Sequence, residues 1–196
     1  MKNTLFRNSI ILISVIMLIF AFFFSLSEES VFIFDATKDL APLTQGERND
    51  GDKTVVNDFF TIIHSAKNKI DASTKTFNDG YFATQRLNFG GKTQPGKGMI
   101  NSVSFTVDSP STVKFWWVSG GDGREFALYD EKLNEIFRTQ TDSIKNSLYI
   151  SSFPLESQGT YYLGVPNGSN YLFKIEVTTG VLNAEKPPRE DWSNVL

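Results

Sequence analysis

Residues 112–130 read TVKFWWVSGGDGREFALYD. Two short runs of β-branched and aromatic residues, 112–118 and 125–130, flank a segment whose glycines break regular structure. Each run has the length and composition of a strand, and neither carries the 3.6-residue period of an amphipathic helix. The reading predicts two β-strands joined by a hairpin turn at 120–124, with glycine supplying positive φ. The Gly-Gly-Asp-Gly-Arg loop lacks the strand–loop–helix context of a phosphate cradle, because it leads into a strand rather than a helix. Successive strand residues face opposite ways, so Val113, Phe115 and Trp117 are expected in the core, with Lys114 and Trp116 on the other face. By the same rule Tyr161, Leu163 and Val165 are expected on one face with Tyr162 on the other, and Tyr171, Phe173, Ile175 and Val177 inside with Lys174 and Glu176 outside.

The same chemistry extends in both directions. VFIFD (31–35), DFFTIIH (58–64), TQRLNFG (84–90) and MINSVSFTV (99–107) precede this stretch, and NEIFRTQ (134–140), SLYIS (147–151), GTYYLGV (159–165) and NYLFKIEV (170–177) come after it. In 102–107, Val103, Phe105 and Val107 alternate with Ser102, Ser104 and Thr106, the period of two of a half-buried strand. Turn signals recur at short intervals. About ten strands in a chain of this size predict an all-β, antiparallel β-sandwich of jelly-roll type over residues 31–180. Residues 44–54 read as a loop and 65–81 as a long polar passage, with a short helix admitted over 64–75. Residues 181–196, with Pro187-Pro188, read as an extended linker.

A different physics governs the beginning of the chain. SIILISVIMLIFAFFFSL (9–26) is an uncharged apolar run with Lys2 and Arg7 before it and Glu28, Glu29 and Asp35 after it. Eighteen residues at about 1.5 Å each give roughly 27 Å, close to the hydrocarbon thickness of a bilayer. The charge order predicts a cytoplasmic N-terminus and export of the remainder. Residues 1–27 are expected to be a signal peptide or a membrane anchor. Ser25-Leu26-Ser27 offers a cleavage site, whereas the length of the run and Phe22–Phe24 beside the site favour retention.

Composition excludes several functions. The net charge is −3 and no basic stripe occurs, so nucleic acid is not an expected partner. The absence of cysteine removes thiol catalysis, disulfides and cysteine-ligated metals. His64 is the only histidine and sits at a strand end, where a structural role is expected before a general-base one. No carboxylate pair is singled out by spacing, so an enzyme is not expected.

The stretches VFIFDATKDLAPLTQGERNDGD, FFTIIHSAKNKIDASTKTFNDGY, TQRLNFGGK, VKFWWVSGGDGR and SQGTYYLGVPNGSNYLFKIEVT together resemble the non-catalytic β-sandwich module of large secreted bacterial pectate-lyase-like proteins. In that family the module resembles a carbohydrate-binding jelly roll and stands beside fibronectin-III-like repeats and a β-helix lyase domain. REDWSNV (189–195) resembles the linker into such a repeat. The resemblance implies fold and polysaccharide association, with no catalytic residues to carry over. It also implies either a stand-alone surface module or the amino-terminal remnant of a longer gene, the linker favouring the remnant.

With that implication, Trp116 and Tyr162 become candidates for stacking a pyranose, and Lys174 and Glu176 for hydrogen-bonding its rim. Lys174 or Arg124 would suit a uronic acid carboxylate, and Asp122 lies at the same loop tip as Arg124. The competing expectation is that both tryptophans are buried. Asn49-Asp50-Gly51-Asp52 gathers oxygen ligands, which makes Asp50 and Asp52 candidates for a structural calcium, although the regular spacing of an EF-hand is missing. Asn167-Gly168-Ser169 is a glycosylation sequon that also suits a turn. The expected ligand is a pectin-like plant polysaccharide, and the alternative is a structural spacer or protein-interaction module.

Overall fold

The computed structural model describes residues 29–40, 48–140 and 142–180. The expected export segment, the 181–196 linker and part of the 44–54 loop lie outside the described residues. Twelve strands are described: β1 (Ser30–Asp35), β2 (Lys53–Val56), β3 (Phe60–Ile63), β4 (Lys69–Thr76), β5 (Phe82–Phe89) and β6 (Ser102–Val107) make up the first half. The second half holds β7 (Ser111–Ser119), β8 (Ala127–Tyr129), β9 (Glu135–Arg138), β10 (Leu148–Leu155), β11 (Gly159–Gly164) and β12 (Asn170–Thr179). A single-turn helix, α1 (Ala36–Asp39), succeeds β1, capped by the Asp35 carboxylate accepting from the Thr37 N–H.

Two six-stranded antiparallel sheets form the sandwich. One runs β10-β7-β12-β5-β4, with β1 paired to β12; the other runs β2-β3-β6-β11-β8-β9. Strands β5 to β12 thus fall into the orders β5-β12-β7-β10 and β6-β11-β8-β9, with the chain passing between the sheets at nearly every connection. This winding is that of a jelly roll.

The core results from side-chain alternation. Phe34, Val113, Phe115 and Trp117 meet Val103, Phe105, Tyr161 and Leu163 from the facing sheet. The expected inward sets of β6, β7 and β11 are all found there.

Four sequence expectations are corrected. The segment 112–130 is no hairpin, because β7 and β8 belong to opposite sheets. Its loop is a crossover whose end carries Phe126 into the core against Trp117, with ring centroids 5.4 Å apart. Gly123 does supply a positive φ, and Gly120 passes so close to the Ser169 carbonyl that a Cβ has no room.

The polar passage at 65–81 holds strand β4 and no helix. As the edge of its sheet, β4 buries only Ile70 and turns lysines and threonines to water, so its composition hides it. Lys53 and Thr54, placed in a loop by the sequence reading, lie in β2, and two more strands are described than the ten expected. Lastly, Tyr171 and Phe173 of β12 face outward. The pairing to β7 steps from Leu172↔Trp117 to Lys174↔Trp116, so Phe173 is an extra residue in a β-bulge that reverses the alternation before it.

Candidate functional site

The expected aromatic platform is divided between the two outer faces. Trp116 on β7 pairs with Lys174 on β12, and its ring packs with Phe77, Val118 and Phe173 outside the first sheet. Tyr162 lies on β11 outside the second sheet, with Ile63, Met99 and Tyr129. The whole sandwich separates them, because β11 neighbours β6 and β8 rather than β7 or β12. They cannot stack one ligand.

Trp116 is also covered. It is 2% exposed, with the Lys174 and Lys114 ammonium groups 4.2 and 4.6 Å from its ring centroid. Its indole N–H donates to Asp79 at 2.8 Å. Burial alone would raise the Asp79 pKa, but N–H donation from Tyr81 and Trp116, with Lys114 nearby, holds it below the ordinary value. Lys174 in turn donates to Glu176 at 2.9 Å. Trp116, Lys174 and Glu176 are therefore brought together, as part of a closed cluster.

The loop candidates are engaged within the fold. An Arg124 Nη1 N–H donates to the Asn167 carbonyl, and Asp122 accepts the Lys145 N–H at 2.8 Å. Asp50 accepts from the Ala66 N–H at 2.8 Å, and Asp52 from the Asn49 N–H at 2.9 Å. Among the described residues no group of three or more carboxylate or histidine side chains converges on one point. Asn167 occupies a turn, its side chain tied to Gly123 and Glu125. His64 is buried at 1% exposure, with Nε2 2.9 Å from the Thr54 hydroxyl and Nδ1 without a partner. Burial, aided by the Arg48 charge and opposed by Asp52, lowers its pKa from 6.5 to about 4.

A better site lies where the two sheets part. Strands β9 and β10 are terminal strands of their respective sheets, and a half-open cleft of about 340 Å³ separates them. Tyr149 of β10 stacks on Trp117, with ring centroids 4.5 Å apart and planes at 25°. Trp117 is 1% exposed, so it backs the tyrosine while its N–H donates to the Ser151 hydroxyl at 2.9 Å. Phe137 and Phe153 stack at 5.4 Å across the gap between the strands. Polar groups complete the lining: Arg138, Thr139, Gln140 and Asp142 from β9 and the loop after it, and Ser151 and Ser152 from β10.

Arg138 is held in place. Its Nε and Nη2 form a fork to both Glu135 oxygens at 2.7 and 2.6 Å, while Nη1 reaches Glu125 Oε2 at 3.1 Å. Glu125 is buried and also accepts from Asn167 at 2.8 Å. Hydrogen bonding to Glu135, against the cost of burial, raises the Arg138 pKa and keeps it a permanent cation. The cleft can thus present an aromatic wall, a fixed guanidinium and several hydroxyl-sized partners to a small polar molecule. The sequence reading passed over Tyr149 and Arg138. Alternation along SLYISSF (147–153) marks Tyr149, Ser151 and Phe153 as sharing a face, but only the topology brings that face to β9.

No protein-family model matches the sequence, and no curated protein matches it. Among solved structures, the chain is similar to a family 35 carbohydrate-binding module from Cellvibrio japonicus Abf62, at 9% identity over 76% of this chain and 92% of that one, with a TM-score of 0.38. It is also similar to the CBM22-1 xylan-binding domain of Paenibacillus barcinonensis Xyn10C, at 12% identity over 58% and 80% of the two chains, with a TM-score of 0.37. The module CBM6cm-2 of Cellvibrio mixtus lichenase 5A, in complex with cellotriose, matches at 10% identity over 58% and 87%, with a TM-score of 0.32. The strand order alone defines its fold.

Proposed function

We propose that this chain is a non-catalytic, extracytoplasmic carbohydrate-binding module for pectin-like plant polysaccharide, and that its ligand occupies the β9–β10 cleft. The observation that carries the reading is the Tyr149–Trp117 stack beside Arg138, Gln140 and Asp142 in an open cleft of about 340 Å³. An aromatic wall suits the C–H face of a sugar ring, and fixed polar groups suit its hydroxyls. The apolar run at 9–26 supports the export, and the resemblance read from the sequence supports the polymer class. A buried His64 with one ring nitrogen unpartnered supports a non-catalytic role, since no second group orients it as a base.

The test is affinity electrophoresis of the full chain in mild detergent, through gels containing pectin, polygalacturonate, xylan or no polymer. Retardation by at least one polymer, abolished by Tyr149→Ala in a protein with unchanged far-UV circular dichroism, is the expected result. Equal mobility in every gel would refute the reading for these polymers. The alternative, a spacer or protein-interaction sandwich, would then lead, and the burial of both β7 tryptophans already favours it to that extent.

A further inference from the structure

Resting on the carbohydrate reading above, we infer that the cleft selects uncharged sugar residues and turns away uronates, because the one cation among its described lining residues is already occupied by two carboxylates of the protein. Arg138 spends three of its five N–H donors on Glu135 and Glu125. The two donors that remain suit a neutral hydroxyl or carbonyl, whereas the charge that would attract a sugar carboxylate is already met. Asp142 lies in the lining itself, so three acidic side chains stand against one guanidinium. On the adjoining loop, Asp122 accepts the backbone N–H of Lys145.

A uronate entering this setting would be desolvated beside like charges and gain no free cation in return. Within a pectin-like polymer, the residues that fit are methyl-esterified galacturonate and neutral side-chain sugars. Free galacturonate does not fit.

The contrast can be drawn on one backbone. The full chain in mild detergent is run through gels of highly methyl-esterified pectin, of polygalacturonate prepared from it by de-esterification, and of neutral galactan, at low and at moderate salt. Retention by the esterified polymer or by galactan is expected, with retention by polygalacturonate weaker by about tenfold or more at low salt and the gap narrowing as salt rises. Glu135→Gln removes one like charge and leaves a single acceptor oxygen for the two guanidinium donors that Glu135 now holds, and should bring polygalacturonate retention toward that of the esterified polymer. Equal or tighter retention by polygalacturonate in the unsubstituted protein would overturn the selectivity while leaving the carbohydrate reading intact. No retention by any of the three would overturn both.

Discussion

Replacing Trp116 with alanine decides whether that indole packs the fold or meets a ligand. The side chain is 2% exposed and sits among Phe77, Val118 and Phe173, with Tyr81 edge-on at 5.9 Å. Truncating a buried tryptophan to alanine costs about 3–5 kcal/mol. The cluster lies outside the sheet and is closed partly by the Lys114 and Lys174 stems, which can settle into the vacated space. The lower half of that range, about 3–4 kcal/mol, is therefore expected, the lost indole bond to Asp79 included. With a urea slope of about 2 kcal/mol/M for a domain of this size, the unfolding midpoint should fall by about 1.5–2 M. Circular dichroism at 220 nm is the suitable probe, since the substitution removes a fluorophore. Trp116→Phe keeps the ring contacts, loses the N–H donor and should cost only about 1 kcal/mol. Polysaccharide retention by the folded fraction of Trp116→Ala should match that of the parent. A midpoint shift under about 0.5 M accompanied by lost retention would refute the packing argument and place a ligand on Trp116.

Three other perturbations test the framework that holds the cleft. With the pKa of His64 lowered to about 4, the folded state keeps the ring neutral while the unfolded chain takes up a proton near pH 6.5. Stability is therefore full above pH 6.5 and falls as the pH drops from 6.5 toward 4, by up to about 3 kcal/mol, and His64→Gln should flatten that slope in pH-dependent urea titrations. Asn167→Ala removes partners from the Glu125 N–H, Glu125 Oε2 and the Gly123 carbonyl, and thermal unfolding should show a loss of about 2–3 kcal/mol. Gly120→Ala drives a Cβ into the Ser169 carbonyl and should cost about 3 kcal/mol, read as a lower melting temperature; an unchanged value would mean that the crossover passes the β11–β12 turn less closely.

Residue order discloses faces far better than it discloses neighbours. The inward sets of β6, β7 and β11 are written in the sequence because one buried face forces a period of two. Phe173 breaks the inference in β12, since a bulge inserts one residue and nothing local in NYLFKIEV marks where. β4 escapes notice because an edge strand need not be apolar. Sheet membership is hidden altogether: a glycine-rich link between two apolar runs looks the same whether the second run pairs with the first or crosses to the facing sheet. The cleft inherits that blindness. Tyr149 and Arg138 lie on edges of different sheets, and only the closed strand order makes them neighbours.

The strand register also relates the cleft to the start of the domain. Ser30 pairs with Thr179, Thr179 with Ser111, and Ser111 with Leu155, so these four residues define one end of the first sheet. Tyr149 pairs with Trp117, six positions along β7 from Ser111, which at about 3.3 Å per residue sets the aromatic stack some 20 Å from that end. The apolar run stops at Leu26, and the three residues before Ser30 span at most about 11 Å. Were residues 9–26 retained in a bilayer, the Ser30 end would stand nearest the headgroups, and the cleft would lie in the half of the sandwich facing away from them. Strand β12 also ends there, at Thr179. Cleavage before Glu28 would free the domain without altering the cleft, so polysaccharide retention should be the same for the processed and the anchored forms. A retention that differed between them would place part of the binding surface at the Ser30–Thr179 end instead.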